Sequence, residues 1–364
     1  MNPLYVDLEP EWRGGQNQAL LTLRGLRARG HAAELLAVRG GALASRAAAE
    51  GIPVHTAGPR ASRFLAAFTL RQLLARERFE VLHANEPHAL TAAWLAGAHR
   101  RLPVVVSRRV AYPLQGKPLA LSRYRTARRV LAVSHFVAES VIASGLAPDR
   151  VEVVYEGVEV PPLVSSDARR RARQRWRVGE GETLLGCVGY LLPEKGQHLL
   201  IRALPALRAQ HPNSRVLLAG DGPCRQRLER LARELGMAPA VHFAGFVTDV
   251  HEVYAALDVF VFPSLAEPLG TSLLAAMAYG LPVVGVGRGG VIEIVEDGRS
   301  GLLVPDPEPG GIAAAVAKLL RDPDLALSLG RAARKIIQRR FALEHMVENT
   351  LRVYEQLCPP RERA

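Results

Sequence analysis

The chemistry of this chain is concentrated in two short segments. Gly186–Gln197 reads GCVGYLLPEKGQ, an apolar strand followed by a glycine turn that ends in Lys195-Gly196 ahead of a helical pattern. Arginine dominates the basic residues here, so a lysine at that turn stands out. Its ammonium can meet a phosphate as a point charge, or it is an ordinary solvent-facing loop lysine. Asp258–Gly290 reads DVFVFPSLAEPLGTSLLAAMAYGLPVVGVGRGG. A buried strand ends at Pro263-Ser264, a short loop holds Glu267, and Gly270-Thr271-Ser272 open a helix. The free N–H groups and positive end of such a helix suit a phosphate, Gly270 admits close approach to the backbone, and Glu267 can accept hydrogen bonds from hydroxyls. The plainer alternative is a helix capped by Thr271 or Ser264, with Glu267 favouring the dipole.

Two further glycine turns precede helices. Ala219–Pro223 (AGDGP) carries Gly220 and Gly222, and Trp12–Gln16 (WRGGQ) carries Gly14 and Gly15, where a phosphate or sugar fits. His83 and His88 flank Asn85-Glu86 just beyond a strand end. Isolated histidines are more often structural than catalytic, and Glu86 is a candidate base. Asp322-Pro-Asp324 lies between helical patterns and reads as a turn and cap, not a metal site. Cys187, Cys224 and Cys358 show neither a disulfide framework nor zinc spacing, which points to a reducing compartment. No GxGxxG follows the first strand, which counts against a plain NAD site. No metal and no cofactor is expected.

These residues need a scaffold. Apolar runs predict strands at Ala33–Val38, Val81–Ala84, Pro103–Ser107, Val130–Ser134 and Val151–Tyr155, then at Leu184–Gly189, Arg215–Gly220, Val241–Gly245, Asp258–Pro263, Pro282–Val286 and Gly301–Val304. Helical patterns such as Gln16–Arg29, Phe68–Arg78, Val137–Ser144 and Ala168–Arg177 separate them. Short strands apolar on both faces, alternating with helices, mean α/β architecture with parallel sheets. The proline- and serine-bearing stretch 158–166 marks a linker. The expected domains are 1–162 and 163–342, doubly wound and facing across a cleft, with a final helix in 343–364 (Leu343–Leu357) returning to the first.

The 364 residues suit two domains, and a 48% hydrophobic, 23% charged composition excludes a disordered chain or a collagen. The start lacks the basic-then-apolar pattern of a signal peptide. Pro268–Gly287 is uncharged, but Gly280 and Pro282 break it, so it reads as a buried helix and strand and no transmembrane helix is expected. The net charge of +12 lies mostly in the first half and fits an anionic partner or a solvated arginine-rich surface. Phe64, Leu65, Phe68 and Leu70 sit near Arg60, Arg63 and Arg71, and Lys117, Arg123, Arg125, Arg128 and Arg129 form a second basic stretch. Both suit an anionic membrane surface, or a core-facing amphipathic helix with a solvated back.

In order, these segments resemble family-4 glycosyltransferases of the GT-B fold. The likeness runs through Gly14-Gly15, Arg29-Gly30-His31, VLHANEPHA at 81–89, LAVSHFV at 131–137, VYEGV at 154–158, PEKG at 193–196, LLAGDGP at 217–223, FAGFV at 243–247, 262–284, GGVIEIV at 289–295 and GLLVP at 301–305. It implies transfer of a sugar from a nucleotide-sugar donor to a glycan acceptor, lipid-linked or of the lipopolysaccharide or cell-envelope type, retaining and metal-independent; the expected location is cytoplasmic, with peripheral association at the inner face of the membrane as the reading of the basic and apolar surface. By the same resemblance Lys195 holds the donor diphosphate and Glu267, first of the family's E-x7-E pair, the donor sugar. Amides of Gly270, Thr271, Ser272 and Leu273 meet sugar and phosphates, the turns at Gly189, Gly220 and Gly222 line the donor, Phe246 and Val247 seat the base, and Gly14 and Gly15 close over the phosphates. His88 and Arg108 stand near the acceptor. Three departures follow: Ala275 replaces the second glutamate, Gly189-Tyr190-Leu191 lacks the usual arginine, and Arg108 stands where many members have a histidine. They raise the alternative of a degenerate, partner-binding protein. A GT-B epimerase is the nearest enzymatic alternative, but the catalytic carboxylate and histidine patterns it needs are missing from this chain, and no nucleic-acid-binding signature accompanies the charge.

Overall fold

The computed structural model describes residues 1–58, 62–114 and 118–359. The chain divides into two compact units, Met1–Gly157 with Leu343–Ala364, and Val158–Ala342. In the first, strands β1 (Pro3–Asp7), β2 (Glu34–Ala37), β3 (Val54–Thr56), β4 (Val81–Ala84), β5 (Val104–Arg108), β6 (Arg129–Ala132) and β7 (Val151–Val153) form one sheet ordered β3-β2-β1-β4-β5-β6-β7. In the second, β8 (Thr183–Val188), β9 (Ser214–Ala219), β10 (Val241–Gly245), β11 (Val259–Phe262), β12 (Val283–Val286) and β13 (Leu302–Val304) are ordered β10-β9-β8-β11-β12-β13. Every pairing between these strands is parallel.

The pairing follows from composition. Val104, Val105 and Val106, like Val259, Phe260 and Val261, are at most 2% exposed, so both faces of these strands are covered by helices. Strand order reverses between β1 and β4 and between β8 and β11, and ligands of such sheets bind beyond the strand ends at such reversals. Lys195 follows β8 and Glu267 follows β11, while Gly14-Gly15 follow β1 and Asn85-Glu86 follow β4.

Helix starts carry their own signals. The side chains of Ser62, Ser134 and Ser165 accept from amides three residues on. Asp322 accepts from Leu325 N–H at 2.9 Å and starts the helix Pro323–Ile336, the cap read from its sequence. The uncharged stretch after Pro268 forms helix Thr271–Ala278 and strand β12. Among the described residues, no helix is long and apolar enough to cross a membrane.

The terminal helix Leu343–Leu357 packs in the first unit against helix Gly14–Ala28. Gly25 permits the approach, since a Cβ there would lie 2.5 Å from Val347 Cγ2. Tyr354 reaches the sheet itself: its hydroxyl donates to Tyr5 Oη at 3.0 Å and lies 2.5 Å from His83 Nδ1.

The helix Arg63–Arg76 departs from a core-facing pattern. Ala66, Ala67 and Leu70 are buried, whereas Phe64, Leu65 and Phe68 are 75%, 52% and 62% exposed. Leu119, in helix Pro118–Thr126, is also exposed. Of the basic residues expected beside this surface, Arg60 and Lys117 lie outside the described residues.

Candidate active site

In the second unit, the two sequence-flagged segments meet. Lys195 closes a short turn after β8, and its Nζ donates to Glu267 Oε2 at 2.7 Å. Ser264 Oγ donates to the same oxygen at 2.9 Å. Glu267 is 7% exposed, so its charge is held by an ammonium and a hydroxyl, while the lysine side chain keeps 27% exposure. A buried carboxylate so paired is tolerable, and the lysine remains accessible for further contact.

Glu267 lies against the start of helix Thr271–Ala278, where a Cβ on Gly270 would sit 3.5 Å from its Cγ. Gly270 occupies the cap position with φ +116°, and no side chain caps the helix. The plainer alternative of a Thr271 or Ser264 cap is therefore not what forms: Ser264 turns to Glu267 and to the carbonyl of Glu194. The first-turn amides are left to other partners. Thr271 and Ser272 are half-buried and Leu273 is buried. Ala275 is half-buried in the same helix, an apolar methyl at the site of the expected second carboxylate.

The loops around this pair are fitted backbone against backbone. Leu265 N–H donates to Glu194 O at 2.7 Å, and Gly290 N–H donates to Glu267 O at 2.8 Å. A Cβ on Gly196 would fall 1.9 Å from Pro263 O, on Gly220 2.0 Å from Gly189 O, on Gly222 2.6 Å from Leu191 O, and on Gly290 2.3 Å from Pro268 O. No side chain fits at those separations. Gly189 N–H donates to Ala219 O at 2.9 Å, and Gly220 N–H to Gly245 O at 2.8 Å. Beyond Gly245, Phe246 is 62% exposed and Val247 is half-buried. Tyr190, in place of the expected arginine, is 48% exposed. Cys187 is buried nearby, and burial pushes its thiol up to about 12.

The strand ends of the first unit carry a different arrangement, which the sequence reading missed as a unit. Asp7, at the end of β1 and fully buried, accepts from Asn85 Nδ2 at 2.6 Å and from Gln16 Nε2 at 2.9 Å. Arg109 donates to Asn85 O, Asn85 Oδ1 and Glu156 Oε1 at 2.7, 2.8 and 2.7 Å. Four of its five members follow or end strands and Gln16 comes from helix Gly14–Ala28, with no common motif, and the one local signal is a charged residue ending an apolar run, as at Asp7. Gly14 is exposed and Gly15 half-buried at the start of their helix. A Cβ on Gly15 meets only Arg109 Cδ at 3.5 Å, so packing does not demand glycine there.

The flagged residues of this unit divide accordingly. His83 is a core residue, between Ser107 Oγ at 2.7 Å and the Tyr354 hydroxyl and stacked on Tyr5. Burial, with the charge of Arg109 adding to it, lowers its pKa to about 3. His88 is exposed at the start of helix Pro87–Leu95. Glu86 caps that helix, accepting from His88 and Ala89 N–H, and its Oε1 also accepts from Leu8 N–H at 3.2 Å. Burial outweighs these bonds and raises its carboxyl to about 7. Arg108 is 2% exposed, with its guanidinium carbon 5.0 Å from the Tyr112 ring and 5.5 Å from the Tyr124 ring. It donates to Tyr124 Oη and Tyr112 O.

All three cysteines are free. Glu34, His55 and Glu77 bring ligand-type atoms within 4.8 Å of one another, but His55 Nε2 already lies 2.7 Å from Glu34 Oε2.

Two doubly wound parallel sheets, the second with an ammonium–carboxylate pair at a helix start, define the GT-B class of fold. Anabaena HepE, solved with UDP and glucose, has it: TM-score 0.85 and 24% identity, covering 98% of this chain and 99% of that one. The model for glycosyl transferases group 1 matches residues 168–336, and that for glycosyltransferase family 4 matches residues 12–160. A GDP-mannose-dependent alpha-(1-6)-phosphatidylinositol monomannoside mannosyltransferase of Mycobacterium tuberculosis is 34% identical over 295 residues, 75% of this chain and 74% of its own. An uncharacterized glycosyltransferase of Methanocaldococcus jannaschii is 33% identical over 241 residues, 65% of this chain, and the match spans 61% of its length. The chain belongs to the family-4, group 1 glycosyltransferases.

Proposed function

We propose that this protein is a retaining, metal-independent transferase that moves a hexose from a nucleotide-diphosphate sugar to an acceptor hydroxyl. The Lys195–Glu267 pair at the start of helix Thr271–Ala278 carries this reading. Lys195 and the amides from Gly270 to Leu273 stabilise negative charge as the diphosphate leaves, an electrostatic effect aimed at developing charge. Glu267 accepts from hydroxyls of the donor sugar. The bond from the anomeric carbon to the phosphate oxygen breaks, the acceptor oxygen bonds that carbon on the same face, and the acceptor proton passes to the leaving phosphate. Gly14 and Gly15 offer further amides to the phosphates. Phe246 and Val247 stack on the base, and the glycine turns at 189, 220 and 222 keep side chains from the donor. On the acceptor side we place His88, exposed at the start of its helix, and Arg108, whose guanidinium lies against Tyr112 and Tyr124.

HepE was solved with UDP-glucose, and the mycobacterial relative is named for GDP-mannose and a phosphatidylinositol mannoside. Those names favour a UDP- or GDP-sugar donor and a lipid-linked acceptor of the cell envelope. Exposed Phe64, Leu65 and Phe68 beside Arg63 and Arg71 then rest on anionic lipid at the cytoplasmic face. Release of nucleoside diphosphate from a panel of UDP-, GDP- and ADP-sugars tests the reaction. Turnover above background with at least one is expected; none with any would leave the degenerate, partner-binding alternative.

A further inference from the structure

The geometry points to Asn85 as a positioning residue that fixes the glycine-led start of helix Gly14–Ala28, with Arg109 locking it in place. The inference rests on reading Gly14 and Gly15 as contacts of the donor phosphates.

Asn85 is 2% exposed, and each face of its amide has a partner of the matching sign. Nδ2 donates to Asp7 Oδ2 at 2.6 Å and to the Gly15 carbonyl at 3.2 Å. Oδ1 accepts from Arg109 Nη1 at 2.8 Å, and the same nitrogen donates to Asn85 O at 2.7 Å. Flipping the amide would set an oxygen against a carboxylate and an NH2 against a guanidinium, so the orientation is fixed. Arg109 is itself held by Glu156 Oε1 at 2.7 Å. Asp7 is shared with Gln16, the residue after Gly15, through Nε2 at 2.9 Å. The helix start is therefore tied at Gly15 O and at the Gln16 side chain to a buried polar network. No other side-chain cap holds it, since Arg13 at the cap position contributes none. A loop that must place bare amides against a ligand needs such outside support, because its glycines bring no packing of their own.

Asn85→Asp is the sharpest test. It replaces the Nδ2 donor with a carboxylate oxygen that faces the Asp7 carboxylate and the Gly15 carbonyl and, ionised, can donate to neither. Compared with wild type at the same pH, the variant is expected to speed hydrogen–deuterium exchange in peptides covering Trp12–Leu20. It should also weaken binding of UDP-glucose or GDP-mannose, measured by calorimetry, by about tenfold. Wild-type exchange in those peptides would overturn the assignment. If Asn85→Asp does not fold, Arg109→Lys, which keeps the charge but not the paired contacts, should loosen the same peptides, and unchanged exchange there also overturns it. Gly15→Val separates the two ideas. Unchanged nucleotide-sugar affinity in that variant removes Gly15 from the donor site, while the exchange result still decides whether Asn85 fixes the helix start.

Discussion

The two units solve the same problem, holding groups at the ends of a parallel sheet, by different means. The second uses the main chain. Gly196, Gly220, Gly222 and Gly290 let loops touch backbone to backbone, and a Cβ at each would fall 1.9 to 2.6 Å from a carbonyl oxygen. The first uses side chains. Several of its glycines (Gly30, Gly40, Gly51, Gly97) have nothing within 4 Å of a Cβ, and its strand ends are joined by Asp7, Asn85, Arg109 and Glu156. A backbone-built cradle is stiff and admits little variation. A side-chain network can be re-dressed residue by residue.

The largest effect that would break this contrast concerns the paired groups. Glu267→Ala leaves Lys195 without its buried partner and, on the proposed function, removes a contact to the donor sugar. Turnover, followed as nucleoside diphosphate release, is expected to fall about a hundredfold. Next comes the backbone fit. Gly196→Ala puts a methyl into Pro263 O at a φ of +67° and should cost about 2–4 kcal/mol by urea unfolding, whereas Gly30→Ala, at φ +82° in open space, should cost only about 1 kcal/mol. Equal costs would show that the second unit's loops are no more constrained than the first's.

A smaller effect tests the apolar surface of the first unit. Phe64→Asp with Phe68→Asp should leave the melting temperature near wild type, because both side chains are exposed. Flotation with phosphatidylglycerol vesicles at low salt should drop severalfold. A wild-type protein that never floats would remove the membrane from the account. The smallest effect is a pH slope. The Glu86 carboxyl is raised to about 7 in the fold from 4.5, so the folded state holds more protons than the unfolded state between those values. That contribution to stability is full below about 4.5 and is lost as pH rises through 7. Glu86→Gln should flatten the slope between pH 5 and 8, and an unchanged slope would mean another group titrates there.

The same contrast explains what could be read in the sequence. PEKG, AGDGP and the stretch from Pro263 to Gly290 are contiguous, because a backbone cradle is written in turns between neighbouring elements. Their placement after β8, β9 and β11 followed from the apolar runs alone. The first unit's network was not legible. Asp7, Asn85, Arg109 and Glu156 are far apart in the chain and meet only through strand order. β1 and β3 went unread for local reasons: PLYVD sits at the start of the chain bounded by proline and aspartate, and VHT is three half-polar residues at a sheet edge. Arg108 drew attention at a strand end, but the packing hands the network to its neighbour Arg109. The alternative of a cap by Thr271 or Ser264 does not form because Ser264 is drawn to the Glu267 carboxylate, a tertiary contact that no cap preference foresees.

The proposed reaction depends on the ammonium of Lys195 gripping the donor diphosphate. Titration calorimetry of UDP-glucose and GDP-mannose against wild type and Lys195→Ala, with circular dichroism confirming that both are folded, tests it directly. Measurable affinity for at least one donor in the wild type, weakened at least about tenfold in the variant, is the expected result. Equal affinity in the two proteins would contradict it.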